Sequence, residues 1–108
     1  MPLNQPQTIM SDTTNETIAH NVYFDGKVQS LGLQTDKGRA TVGVMKKGEY
    51  RFSASSPEKM VIISGILDVQ LLEGKWIKYA AQGEFDVPAG TSFDVSCDSD
   101  VAYICYYG

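Results

Sequence analysis

From Val22 onward, apolar and polar residues alternate with a period of two, and no stretch carries a 3.6-residue apolar stripe bounded by helix caps. In Tyr50-Arg51-Phe52-Ser53 the two aromatics share one side and Arg51 and Ser53 the other, and in Phe93-Asp94-Val95-Ser96-Cys97 the odd positions are apolar. Phe85 and Val87 oppose Glu84 and Asp86 in the same way. The runs predicted as strands are Val22–Phe24, Val28–Leu31, Ala40–Met45, Tyr50–Ser53, Met60–Ser64, Leu67–Leu72, Lys75–Tyr79, Glu84–Val87, Thr91–Ser96 and Val101–Tyr107. Turn formers separate them, among them Asp25-Gly26, Lys47-Gly48, Ser64-Gly65, Gln82-Gly83 and Pro88-Ala89-Gly90. Many short strands at this spacing predict an all-β domain, an antiparallel sandwich or barrel.

The terminal run is apolar on both faces: Val101, Tyr103 and Cys105 oppose Ala102, Ile104 and Tyr106. Such a strand is either central in its sheet or covered on one face by a second subunit. Residues 1–19 are rich in Thr, Asn, Gln, Ser and Pro, too polar to offset the cost of ordering, so the expectation is a flexible N-terminal tail followed by one domain over 20–108. A unit of that size makes a marginal core, and pairing subunits through an apolar strand is one remedy, hence an expected homodimer.

A chain of 108 residues has no room for a Rossmann domain or a large barrel enzyme. Its net charge of −4 disfavours nucleic acid as a partner, yet seven of nine basic residues fall between Lys27 and Lys59, where a small anion would find a positive patch. No apolar run is long enough to span a membrane and nothing near Met1 reads as a secretory signal, so the expected location is cytoplasmic. Cys97 and Cys105 are expected as reduced, packed thiols, since a tight hairpin across Asp98-Ser99-Asp100 would set Cys97 near Val101 and leave Cys105 several residues away. The single histidine, His20, stands at the edge of the expected tail, which removes the usual first-row metal cluster and any Ser/His/Asp triad that would need a histidine inside the fold.

Two segments carry a resemblance. Glu58-Lys59-Met60-Val61-Ile62-Ile63-Ser64-Gly65 resembles the end of the first cupin motif, and Gly83-Glu84-Phe85-Asp86-Val87-Pro88-Ala89-Gly90-Thr91-Ser92-Phe93 resembles the second. The resemblance implies a single-domain, RmlC-like jelly-roll β-barrel. The histidines expected of a metal-binding cupin are missing: their positions fall among Arg51 to Ala54 and at Phe93, so no metal is expected. Over residues 21–107 the chain is more similar to the small cupins of the pyrimidine/purine nucleoside phosphorylase family. The carrying segments are Tyr23–Val28, Gly38–Met45, Gly48–Ser53, Ser56–Met60 and Phe85–Phe93. The resemblance implies phosphorolysis of purine and pyrimidine nucleosides to the free base and α-D-ribose 1-phosphate, with phosphate as co-substrate and no bound cofactor.

Phosphorolysis needs phosphate held at the anomeric carbon, stabilisation of a cationic sugar and relief of charge on the departing base. Only a guanidinium offers phosphate two parallel hydrogen bonds, which singles out the two arginines, Arg39 and Arg51, each otherwise a solvated surface charge. Arg39 is the catalytic candidate, and alternation puts Thr41 on its face. Glu58 is the second catalytic candidate: with Met60 on its face, it would bind ribose hydroxyls, donate a proton to the base if its pKa were raised, or form an ordinary salt bridge. Tyr50, Tyr103 and Tyr106 are candidates to stack a base, Phe93 to wall the cavity, and Ser53 to supply a polar group. The rival reading is a cupin module that binds a small sugar, nucleotide or anion without chemistry.

Overall fold

Ten antiparallel strands form two sheets in the computed structural model, which describes residues 17–72 and 74–108. They are β1 (His20–Tyr23), β2 (Val28–Thr35), β3 (Gly38–Met45), β4 (Gly48–Ala54), β5 (Glu58–Ser64), β6 (Leu67–Leu71), β7 (Trp76–Tyr79), β8 (Glu84–Val87), β9 (Thr91–Cys97) and β10 (Val101–Tyr107), with one 3₁₀ turn at Phe24–Gly26. Of the tail expected over 1–19, residues 1–16 lie outside the described residues. Each predicted run overlaps one observed strand, because one buried face imposes the period-two pattern wherever a strand forms, though β1 starts at His20 and stops before Phe24 and β2 runs on to Thr35.

The six-stranded sheet has the order β1-β2-β3-β10-β5-β8 and the four-stranded sheet β4-β9-β6-β7. The sheets face each other across a core in which Val28, Met45, Ile62, Leu67, Val69 and Val95 are almost wholly buried. Full burial of each such side chain contributes about 1.5–3 kcal/mol. β10 lies in the centre of the larger sheet, between β3 and β5, which accounts for its apolar character on the inner face. Its outer face belongs to a row of Leu31, Val42, Ile104 and Val61 in register across four strands.

Two expectations fail here. Neither sheet closes into a barrel: the six-stranded sheet ends at β1 and β8 and the four-stranded one at β4 and β7, so the jelly-roll barrel is replaced by an open two-sheet sandwich. The reason lies in the seams. Between β7 and β8 the rings of Tyr79 and Phe85 stand 4.8 Å apart, and beside β1 Phe24 packs on Tyr50 of β4 at 5.0 Å and on Phe52 at 5.5 Å. Aromatic packing, not a hydrogen-bonded ladder, joins the sheets at both edges. Second, β9 and β10 form no hairpin: β9 pairs with β4 and β6, whereas β10 pairs with β3 and β5. Cys97 is therefore not opposite Val101, which faces Met45, though both cysteines are free and buried as expected.

Two glycines are required by contacts. At Gly65, where the chain passes from β5 to β6 and so changes sheet, φ is +94° and a Cβ would lie 2.7 Å from the Asp100 carbonyl. At Gly43 a Cβ would come within 2.4 Å of the Tyr103 ring, which lies flat across this position of β3. Gly43→Ala is accordingly expected to displace Tyr103 and to cost about 1–3 kcal/mol, the usual penalty of overpacking. Denaturant unfolding checks this; Gly43→Ala combined with Tyr103→Leu should recover most of the loss, and a stability unchanged in the single variant would contradict the contact.

Candidate active site

A cleft of about 130 Å³ opens between the sheets and is lined by Tyr23, Ser30, Phe52, Ser53, Glu58, Met60, Phe93, Tyr103, Cys105 and Tyr107. Its floor is the inner face of the six-stranded sheet, where strand register arranges the side chains in rows. One row holds Ser30, Gly43, Tyr103 and Ile62; the next holds Gly32, Thr41, Cys105, Met60 and Phe85. In the last row Tyr107 is paired with Glu58, and Arg39 lies one residue beyond the final β3–β10 pair of Ala40 with Tyr106, on the Tyr107 face. The polar and charged residues thus gather at one end. Phe52 and Phe93 of the four-stranded sheet, with centroids 5.7 Å apart, form the opposing wall.

Glu58 is half-buried, with Met60 and Ile62 on its side of β5, while Lys59 turns outward to Glu84 at 2.9 Å and Asp86 at 3.4 Å. No cation partners Glu58 among the described residues; its Oε1 accepts the Cys105 thiol at 3.4 Å. Burial pushes the Glu58 pKa above the ordinary carboxylate value, and the thiol contact pulls it partly back. Burial, then the nearby Glu58 charge, raises Cys105 to about 12, so the thiol stays protonated and is no nucleophile. Tyr107, raised to about 12 mainly by burial, and Tyr103, raised for the same reason, remain neutral hydroxyl donors. The Tyr103 hydroxyl has no hydrogen-bond partner among the described residues.

The structure divides the sequence-derived candidates. Glu58, Met60, Phe93 and Tyr103 line the cleft; Ser53 borders it, but its side chain shares the outer side of β4 with Arg51 and is bonded to Ser92 at 3.0 Å, so it supplies no polar group to the cleft. Arg39 is exposed at the rim, its guanidinium carbon 4.7 Å from the centre of the Tyr107 ring. Thr41 is buried behind that ring, its Oγ1 2.9 Å from the Tyr107 hydroxyl.

Three candidates are placed elsewhere. Arg51 is on the outer face of β4, both oxygens of Asp94 lying 3.2 Å from Nη1. Tyr50 is buried under Phe24, and its hydroxyl donates to the Lys46 carbonyl at 2.7 Å. Tyr106 lies on the outer side of β10, with the Lys37 ammonium 5.6 Å above its ring. Tyr107, Cys105, Tyr23, Phe52 and Ser30 also line the cleft and are not among the sequence-derived candidates. A signal existed for the first: the inward series Val101, Tyr103, Cys105 continues to Tyr107 at the next odd position.

Among the described residues no three of His, Cys, Asp and Glu come together as a metal site, and no helix is long and apolar enough to cross a membrane. The two-sheet, all-β sandwich is a cupin-like fold, a likeness carried by a solved cupin structure. An RmlC-like cupin from Shewanella frigidimarina shares it at a TM-score of 0.66 and 18% identity, covering 86% of this chain and 85% of that one. Residues 18–107 match the family model for pyrimidine/purine nucleoside phosphorylase, and the chain belongs to that family. Relatives of that description include one from Tolumonas auensis, 46% identical over 81% of this chain and 95% of its own length, and one from Hahella chejuensis, 44% identical over 82% and 96%. A structure of a Vibrio parahaemolyticus protein of unknown function superposes with a TM-score of 0.78 at 38% identity, covering 82% of this chain and 96% of that one.

Proposed function

We propose that the protein is a nucleoside phosphorylase acting on purine and pyrimidine nucleosides. A phosphate oxygen bonds to the anomeric carbon as the bond from that carbon to the base breaks. The electron pair leaves with the base, the proton carried by hydrogen phosphate ends on the base nitrogen, and inversion at carbon gives α-D-ribose 1-phosphate. Arg39 holds phosphate through its free guanidinium edge, and Glu58 accepts ribose hydroxyls while its negative charge stabilises the oxocarbenium-like sugar. Phe52 and Phe93 offer flat apolar surface to the base, which every base can use because each has a π-face, in keeping with a broad substrate range. The chemistry proposed uses no cofactor beyond phosphate as co-substrate.

The observation that carries this reading is the row of Arg39, Tyr107 and Glu58 at one end of the cleft in a chain of this family. Incubating the purified protein with uridine or adenosine, with and without phosphate, tests it: base and sugar phosphate should appear only with phosphate. Saturable nucleoside binding without base release would instead support the non-catalytic module.

The proposal extends to a homodimer formed through the outer face of the six-stranded sheet. Leu31, Leu33, Val42 and Val44 are each more than a third exposed there, and Ile104 and Val61 continue the patch. An apolar sheet face of this extent is expected to be covered by a second copy. Val42→Glu should shift the sedimentation mass from dimer to monomer; a monomeric unaltered protein would end the idea.

A further inference from the structure

The two arginines of this chain are held in different ways. Arg51 commits its Nη1 to Asp94, 3.2 Å from both carboxylate oxygens, and its charge is met there. Arg39 has no ion pair among the described residues and instead lays its guanidinium against the ring of Tyr107, 4.7 Å from the ring centre. The difference decides what each can bind. Asp94 meets the Arg51 charge and one of its terminal nitrogens, whereas contact with an aromatic ring supplies no acceptor oxygen and leaves the Arg39 N–H groups to a second, bidentate partner.

The Tyr107 ring is itself fixed. Its hydroxyl lies 2.9 Å from Thr41 Oγ1 on β3, Thr41 is only 6% exposed, and the backbone of Tyr107 is paired with Glu58 on β5. The following amide, of Gly108, donates to the Pro57 carbonyl at 3.0 Å. A long, exposed side chain at the start of a strand would otherwise sample many rotamers, and contact with an anchored ring removes most of that freedom.

We propose that Tyr107 is a positioning residue of this site: its ring, pinned by Thr41, presents the Arg39 guanidinium edge-on to an inorganic phosphate at the mouth of the cleft. The inference rests on the reading that Arg39 receives phosphate, and it adds which residue makes Arg39 competent to do so.

The test measures binding of inorganic phosphate to the full chain by titration calorimetry, without nucleoside, so that it needs no turnover. Tyr107→Leu, which removes the ring, should weaken phosphate binding about fivefold, on the scale of one cation–π contact, while Tyr107→Phe, which keeps the ring and loses only its bond to Thr41, should weaken it about twofold, as should Thr41→Val. Arg39→Ala should weaken it further, and adding Tyr107→Leu to Arg39→Ala should bring no additional loss, because the ring acts only through the arginine. If Tyr107→Leu does not fold, Thr41→Val releases the ring and should produce a smaller loss that also disappears without Arg39. Unchanged binding in Tyr107→Leu, or the same loss with and without Arg39, overturns the positioning role. If Arg39→Ala itself binds phosphate as tightly as the unaltered protein, the reading of Arg39 falls as well.

Discussion

Glu58→Gln is expected to lower kcat/KM for nucleoside phosphorolysis by about a hundredfold or more, the range seen when one group that stabilises transition-state charge is removed. Glutamine keeps the shape and one acceptor oxygen but loses the negative charge that faces the developing sugar cation. The pH profile carries a second signature. Glu58 must be ionised to act, so activity should rise with pH through a midpoint above the ordinary carboxylate value, the direction set by its burial. The groups that face it are the Cys105 thiol and the Tyr107 ring of β10, with Arg39 beyond the ring on β3, whereas Lys59 is turned away to Glu84 and Asp86. That acid limb should be missing from Glu58→Gln.

Stability should move the other way. A carboxyl whose pKa is raised in the folded state binds its proton more tightly there than in the unfolded chain. Its contribution therefore declines as pH rises from the unfolded pKa through the folded one. The glutamine variant escapes that decline and should melt no lower than the unaltered protein at neutral pH. Loss of activity together with loss of stability would point to a structural salt-bridge role for Glu58, although no cation partners it among the described residues.

Arg39→Ala should raise KM for phosphate by roughly ten- to a hundredfold, the equivalent of a lost charge-assisted hydrogen bond or two, and change KM for the nucleoside far less. Arg39→Lys should recover only part of the loss, since an ammonium neither stacks on Tyr107 as a plane nor meets phosphate through two parallel bonds. Arg51→Ala supplies the control. Its side chain is solvent-exposed on the outer face, where an ion pair with Asp94 contributes about 0–1 kcal/mol, and phosphate kinetics should be unaffected. Equal effects of the two alanine variants would remove the distinction between them.

The strands were legible in the sequence because alternation is a local consequence of burying one face, and Phe93-Asp94-Val95 or Glu84-Phe85-Asp86 can be satisfied in no other extended arrangement. Sheet membership was not, since it depends on which strands meet in space. The short segment from Asp98 to Asp100 has the length of a hairpin loop, yet it carries the chain from one sheet to the other, and nothing in those three residues distinguishes the two outcomes. Barrel closure is not legible for a related reason: the pattern leaves sandwich and barrel open, the resemblance implies a barrel, and the rings of Tyr79 and Phe85 that meet across a seam are assigned no contact by periodicity.

The candidate site was partly legible. Glu58, Met60, Phe93 and Tyr103 fell on the cleft because each shares a face with the core, a property alternation reports. Alternation equally set Arg51 opposite Tyr50 and Phe52, and the structure leaves it on that outer side. Position beside Gly38 in a family-like segment favours Arg39 already in the sequence, and what separates the two arginines in the structure is a neighbour distant in sequence: Asp94 for one, Tyr107 for the other.

The central claim is that the cleft between the sheets is where phosphate meets the sugar, with Glu58 and Arg39 on either side of Tyr107. A crystal soaked with phosphate and a slowly reacting nucleoside tests it most directly. The sugar should lie within hydrogen-bond reach of Glu58 and beside Phe93, and a phosphate oxygen should accept from the Arg39 guanidinium. Nucleoside density on the outer face of either sheet, with Glu58 and Arg39 turned to solvent and touching neither molecule, would contradict it.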